Sequence, residues 1–128
     1  DARQEITNRT LVNYRPLEAL HLSDTWYKNR VIIIGDAAHA TVPQLGSGAA
    51  LAIEDAVVLV DELQKADEVS LAFDSFMKRR YERCMMVVDA SETLAKWELL
   101  EFQGKSLPEG ANPGALMGKT IGKLTAPF

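Results

Sequence analysis

Four consecutive β-branched residues, Val31 to Ile34, stand between Arg30 and the pair Gly35-Asp36. A run that short and that branched predicts a strand buried on both faces, as in the middle of a parallel sheet. From Gly48 onward the period changes. Ala49, Ala52, Ile53, Ala56, Val57, Val60 and Leu63 recur at spacings of three and four, which predicts a helix. Gln64 to Glu68 is a polar linker, and Ser70 is the expected N-cap of a second helix. There Phe73, Phe76, Met77, Tyr81, Cys84, Val87, Val88, Leu94 and Ala95 repeat at three and four. Lys78, Arg79, Glu82, Arg83 and Glu92 fill the other face. Sustained to about Leu100, that period gives a helix of roughly 45 Å at about 1.5 Å per residue.

The flanks carry weaker patterns. Asp1 to Arg9 is polar, and Thr10 to Tyr14 reads as a strand that Pro16 ends or confines to an edge. Leu17 to Leu22 fits either extended chain or one helical turn. Ser23-Asp24 opens a turn that leads through Trp26, Tyr27, Lys28 and Asn29, with Trp26 expected to pack where the strand begins. Downstream, Gly104, Pro108, Gly110, Pro113 and Gly114 predict loop, and Leu116 to Leu124 one weak helix interrupted by Gly118 and Gly122. The organisation expected is therefore 1–29, a connection; 30–65, strand, loop and helix; 66–103, a long helix; and 104–128, a loop-rich tail.

Composition narrows the classes. A chain of 128 residues suffices for one domain, and 47% hydrophobic with 25% charged residues suggests neither disorder nor a membrane span. The net charge of −4 argues against a nucleic-acid surface, since Lys78, Arg79, Arg80 and Arg83 lie among Asp74, Glu82 and Asp89. Cys84 is the single cysteine, so no intrachain disulfide forms and a reducing, cytoplasmic setting is expected.

The candidate chemistry sits where the strand meets the first helix. A buried strand ending in Gly-Asp, then a Gly-rich turn that opens a helix, is how α/β proteins build a ligand site, so α/β is the expected class. Gly35, Ala37 and Ala38 keep side chains clear of an approaching ligand, and Asp36 offers two acceptor oxygens. Pro43 stiffens the loop. Gly46, Ser47 and Gly48 are expected to present free N–H groups at a helix start, equivalent to about half a positive charge. The glycines are not a P-loop, because alanines and not Gly-Lys-Ser/Thr follow Gly48. His21, His39 and Cys84 lack ligand-like spacing, and no Ser-His-Asp pattern stands out, so neither a metal site nor a catalytic side chain is expected. His39 is expected to be packed and hydrogen-bonded, and Glu54-Asp55 to serve helix capping and surface or domain contacts.

The ordered set Gly35, Asp36, Ala37, Ala38, His39, Pro43, Gly46, Gly48, Glu54, Asp55 and Ala56 resembles the second FAD-contacting motif of the flavin-dependent aromatic hydroxylases, the p-hydroxybenzoate hydroxylase-like single-component monooxygenases. Pro16-Leu17, Trp26 and the arginines Arg79, Arg80 and Arg83 extend the likeness more loosely. Ser47 departs from it, standing where many relatives have Gln. The resemblance implies a fragment of a FAD/NAD(P)-binding Rossmann-like fold, mostly helical, with one buried strand and one or two marginal ones. It makes residues 1–29 the end of a substrate-side sheet. It implies that Gly35, Asp36, Ala37, Pro43, Gly46, Ser47, Gly48 and Ala49 contact FAD, with Asp36 on the ribityl hydroxyls and the helix start at the N1–C2=O edge of the ring. NAD(P)H and oxygen would be co-substrates and a small aromatic compound the substrate, the hard chemistry belonging to the flavin. The family's N-terminal GxGxxG element has no counterpart in these residues. The chain is thus expected to be a C-terminal segment, inactive alone, that relies on an N-terminal portion of the same enzyme or on self-association. A non-catalytic flavin- or partner-binding module and a self-associating structural remnant remain open alternatives.

Overall fold

A computed structural model describes residues 15–128 together with Thr7, Asn8, Thr10, Val12 and Asn13. Its elements run in the order β1 (Tyr27–Lys28), β2 (Val31–Ile32), α1 (Asp36–His39), α2 (Gly48–Lys65), α3 (Val69–Phe102) and α4 (Pro113–Leu124), with a 3-10 turn at Pro43–Leu45 between α1 and α2. The strand expected at Thr10 to Tyr14 falls partly outside the described residues, and Thr10, Val12 and Asn13 are not in a strand.

The strand of Val31 to Ile34 is shorter and more exposed than its sequence predicts. Among the described residues the sheet is a two-stranded antiparallel hairpin, with Tyr27 opposite Ile32 and Lys28 opposite Val31. Val31 is 68% exposed and Ile33 37%, while Ile32 and Ile34 pack on the core. A central strand needs a neighbour on each edge and a layer on each face. The described residues supply one neighbour and one layer, so the alternate side chains face solvent.

The helices follow the predicted periods, with corrections to the phase of α2 and to where α3 and α4 begin. In α2 the buried residues are Leu51, Asp55 and Val58, whereas Ile53, Val57, Val60 and Leu63 are 41–66% exposed. The apolar stripe that announces this helix therefore lies outward. In α3, 34 residues long, the N-cap is Glu68 rather than Ser70, and no side chain caps it. Its inward stripe is the expected one, with Phe73, Phe76, Cys84, Val87, Val88 and Leu94 buried; Arg80 is buried among them. The tail helix α4 begins earlier than expected, because Asn112 Oδ1 accepts from Ala115 N–H at 2.9 Å and Pro113 suits the first turn.

Trp26 anchors the core. It is 2% exposed, its Nε1 donates to Leu22 O at 3.2 Å, and the rings of His39, Phe76 and Tyr81 surround it. Leu17 to Leu22 is extended chain: Leu20 N–H donates to Ala40 O at 2.9 Å and Leu22 N–H to Ala38 O at 3.3 Å. That segment and α3 hold the short helix α1 between them. No helix among the described residues is long and apolar enough to cross a membrane.

Candidate functional site

The site grows from two close approaches at glycines. Gly35 adopts φ +60°, and a Cβ on it would stand 3.0 Å from Cβ of Ala52 on α2. A Cβ on Gly48 would stand 3.0 Å from Thr41 Oγ1 and 3.9 Å from Asp36 Oδ1. The absent side chains let α2 pass directly over the end of the hairpin and bring the Asp36 carboxylate beside the start of α2.

Between these glycines the backbone folds onto itself. Ala38 and His39 N–H both donate to Gly35 O at 2.9 Å, forming α1, whose first residue Asp36 points into solvent. Pro43 starts the 3-10 turn, and Gly46, at φ +61°, closes it by donating its N–H to Pro43 O at 2.9 Å. The Gly46 N–H, expected to be free for a ligand, is therefore used by the turn. Ser47 Oγ turns back to Leu45 O at 3.0 Å and does not cap the helix. The first-turn N–H groups of α2, from Gly48 and Ala49 onward, have no acceptor within their own helix and carry its positive end.

Behind this open face lies a buried ionic cluster. Asp55, with no exposed surface, accepts through Oδ2 from Gly35 N–H at 2.8 Å and from His39 Nε2 at 2.7 Å; Oδ1 accepts from Arg80 Nε at 2.7 Å. Arg80 is equally buried and also reaches Glu54 Oε2 at 2.6 Å and Leu51 O at 3.2 Å. Glu54 takes a second, two-pronged contact from Arg83 at 2.8 and 2.9 Å. Burial by itself would push the Asp55 and Glu54 carboxyls up. Their hydrogen bonds outweigh it, from His39, Gly35 and Arg80 on Asp55 and from Arg83 and Arg80 on Glu54, and hold both below the usual carboxylate range. Cys84 sits 3.9 Å from Asp55 Oδ1, and burial pushes its thiol up to about 12.

His39, Asp55 and Cys84 present ligand-type atoms within 4.8 Å of one another, a grouping their sequence positions conceal. Arg80 stands against that grouping, 2.7 Å from Asp55 Oδ1 and 3.6 Å from Cys84 Sγ, and supplies its positive charge. The cluster is an internal tie between α2, α3 and the loop.

Of the sequence-predicted contact residues, the structure brings Asp36 beside Gly48 at the start of α2. Asp36, Ala37, Pro43, Gly46 and Ala49 are exposed, with Ser47 and Gly48 half-buried and Gly35 beneath them. Asp36 makes no hydrogen bond or ion pair among the described residues, and beside it lie the unpaired N–H groups of α2. Two grooves flank the loop, of about 420 Å³ along Pro43, Gln44 and Leu94 and about 310 Å³ along Leu45, Ser47 and Ile121; Asp36 lines neither. His39 is packed and hydrogen-bonded as its sequence context suggests. Asp55 is not a surface or capping group, because it stands in the body of α2 facing inward, and Glu54 is half-buried against Arg80 and Arg83. The burial of Arg80 is not announced by its charge. Its one signal is position, since Arg80 is spaced four from both Phe76 and Cys84 on the buried stripe.

The sequence pattern of the FAD binding domain family matches residues 12–91, which include all of this surface and the cluster behind it. The chain belongs to that family. As a FAD binding domain segment it is 43% identical over 88 residues to Bacillus subtilis YetM, named as a putative FAD-dependent monooxygenase, a match covering 69% of this chain and 24% of that protein. It is 32% identical over 111 residues to the FAD-dependent monooxygenase atmM of Aspergillus flavus, covering 78% and 23%. It is 39% identical over 83 residues to a FAD-dependent urate hydroxylase of Mycolicibacterium vanbaalenii, covering 64% and 20%. The chain thus spans about a quarter or less of the length of these relatives. No solved structure matches it. FAD, the cofactor expected from the glycine-and-aspartate motif, is the one that names the family.

Proposed function

We propose that these residues form the ribityl- and ring-facing part of the FAD site in a monooxygenase that hydroxylates a small aromatic compound with NAD(P)H and oxygen, in the cytoplasm. The observation that carries the reading is the pairing of Asp36 with the start of α2. An exposed carboxylate with no partner among the described residues stands 3.9 Å from where a Gly48 side chain would be, next to first-turn N–H groups that have no acceptor within their own helix. Acceptors for hydroxyl hydrogens and donors for a developing anion are what a ribityl chain and a flavin ring require.

The residues present fit that cofactor. Gly46, with open space where a side chain would stand, and the small exposed Ala37 and Ala49 leave the backbone open to close approach, and Pro43 with its 3-10 turn holds the loop in one shape. Asp36 would hold hydroxyls of the ribityl chain. The N–H groups of Gly48 and Ala49 and the positive end of α2 would face the ring's carbonyl edge and favour negative charge there. When bound, FAD supplies the oxygen and hydride chemistry. The protein's part is to hold it.

The surface around the site supports a place within a larger unit. Val31 and Ile33 on the hairpin, and Ile53, Val57 and Val60 on α2, are apolar and exposed. Faces of that kind are characteristic of protein contact surfaces, here with an N-terminal portion of the same enzyme or a second copy. The test is to purify the protein at its natural full length and measure bound flavin and NAD(P)H oxidation with and without a panel of phenols. Flavin uptake and substrate-stimulated oxidation are expected, with neither turnover nor stimulation from residues 1–128 alone. A full-length protein that takes up no flavin would overturn the reading.

A further inference from the structure

We propose that Asp55 is a positioning residue for the flavin-facing loop, acting through Gly35 and His39 without touching the cofactor; this rests on the assignment of FAD to the Asp36 side of that loop. Gly35 and His39 are the two ends of the short segment that carries Asp36. One oxygen of one carboxylate, Asp55 Oδ2, accepts from both ends, at 2.8 Å from Gly35 N–H and 2.7 Å from His39 Nε2. The other oxygen is taken by Arg80, so the carboxylate cannot rotate without breaking a buried ion pair.

Asp55 does more than pair with Arg80, because its second oxygen is given to the loop. Asp55 is not at a helix end, so it caps nothing, and burying a charge in the body of a helix is costly unless each lone pair is used. What it satisfies is specific. Gly35, at φ +60° and ψ −141°, holds a backbone conformation outside the range of other residues, and its buried N–H points at Asp55. Released from Asp55, Gly35 would lose the contact that holds this conformation. The first residue of α1, Asp36, would then lose its place beside Gly48.

The experiment uses the natural full-length protein and its Asp55→Asn, His39→Leu and His39→Gln variants. FAD affinity is read by flavin fluorescence at a temperature where each variant is folded, and amide hydrogen exchange is read on flavin-free protein. Asp55→Asn and His39→Leu should weaken FAD by roughly ten- to a hundredfold. His39→Gln, whose amide can donate to the same oxygen, should stay within about threefold of wild type. Exchange protection should fall selectively over residues 35–39 while α3 keeps its own. Unchanged FAD affinity in folded Asp55→Asn and His39→Leu, or protection lost evenly throughout, would overturn the proposal. Should Asp55→Asn fail to fold, the two His39 variants decide it. A wild type that takes up no FAD would sink the flavin assignment instead, leaving the exchange measurement to judge Asp55.

Discussion

Arg80 and Asp55 face each other with no exposed surface on either, Arg80 Nε donating to Asp55 Oδ1 at 2.7 Å. The pair joins the first half of α3 to the middle of α2, directly behind the loop proposed to hold flavin. Removing one partner strands the other charge inside the protein. Arg80→Met should therefore cost about 3–5 kcal/mol of stability. Arg79→Met, which removes a partly exposed partner of Asp61 and Glu62, should cost far less. Urea unfolding of both variants checks the ranking, and equal losses would contradict it.

The same cluster sets an acid limit. Asp55 and Glu54 are held below the usual carboxylate range in the folded protein. A depressed folded value means their stabilisation is complete above the unfolded carboxyl value, about 4, and is lost as pH falls through the folded one. Stability should thus decline on acidification below that range. Unfolding midpoints across pH 2–7 test this, and Asp55→Asn combined with Glu54→Gln should flatten the curve.

Cys84 should be chemically silent. It is wholly buried and its thiol is raised to about 12, so the thiolate is scarce at neutral pH. A thiol reagent at pH 8 should label it only as fast as the protein unfolds. Prompt labelling of the native protein would contradict this burial.

The exposed stripe on α2 predicts association. Residues 1–128 expressed alone should self-associate, and replacing Ile53 and Val57 with Glu should reduce the assembly, as read by light scattering. A monomeric wild-type segment would count against the proposed contact face.

Much of this was legible from residue order, because glycines, alanines and a proline are informative one at a time. Gly35, Asp36, Pro43 and Gly48 announce a tight turn beside a helix, and the period of α3 names its buried face. The sheet was not legible in the same way, since Val31 to Ile34 carry the signature of a strand that the described residues only half cover. The phase of α2 was misleading for a related reason. Its apolar stripe faces outward, and its inward face carries Asp55, which a hydrophobicity pattern scores as surface. Arg80 was hidden too, because a charged residue joins a core only when its partners arrive from another helix, 25 and 26 positions away in Asp55 and Glu54.

The central claim is that the Asp36 carboxylate holds a flavin hydroxyl, and titrating FAD into wild-type and Asp36→Ala full-length protein tests it most directly. A charge-assisted hydrogen bond of about 1.5–3 kcal/mol converts to roughly a ten- to hundredfold loss of affinity. Because Asp36 is exposed and unpartnered among the described residues, the variant should melt with the wild type. Weaker FAD binding with an unchanged melting temperature is the predicted result. Normal FAD binding by Asp36→Ala would contradict the account.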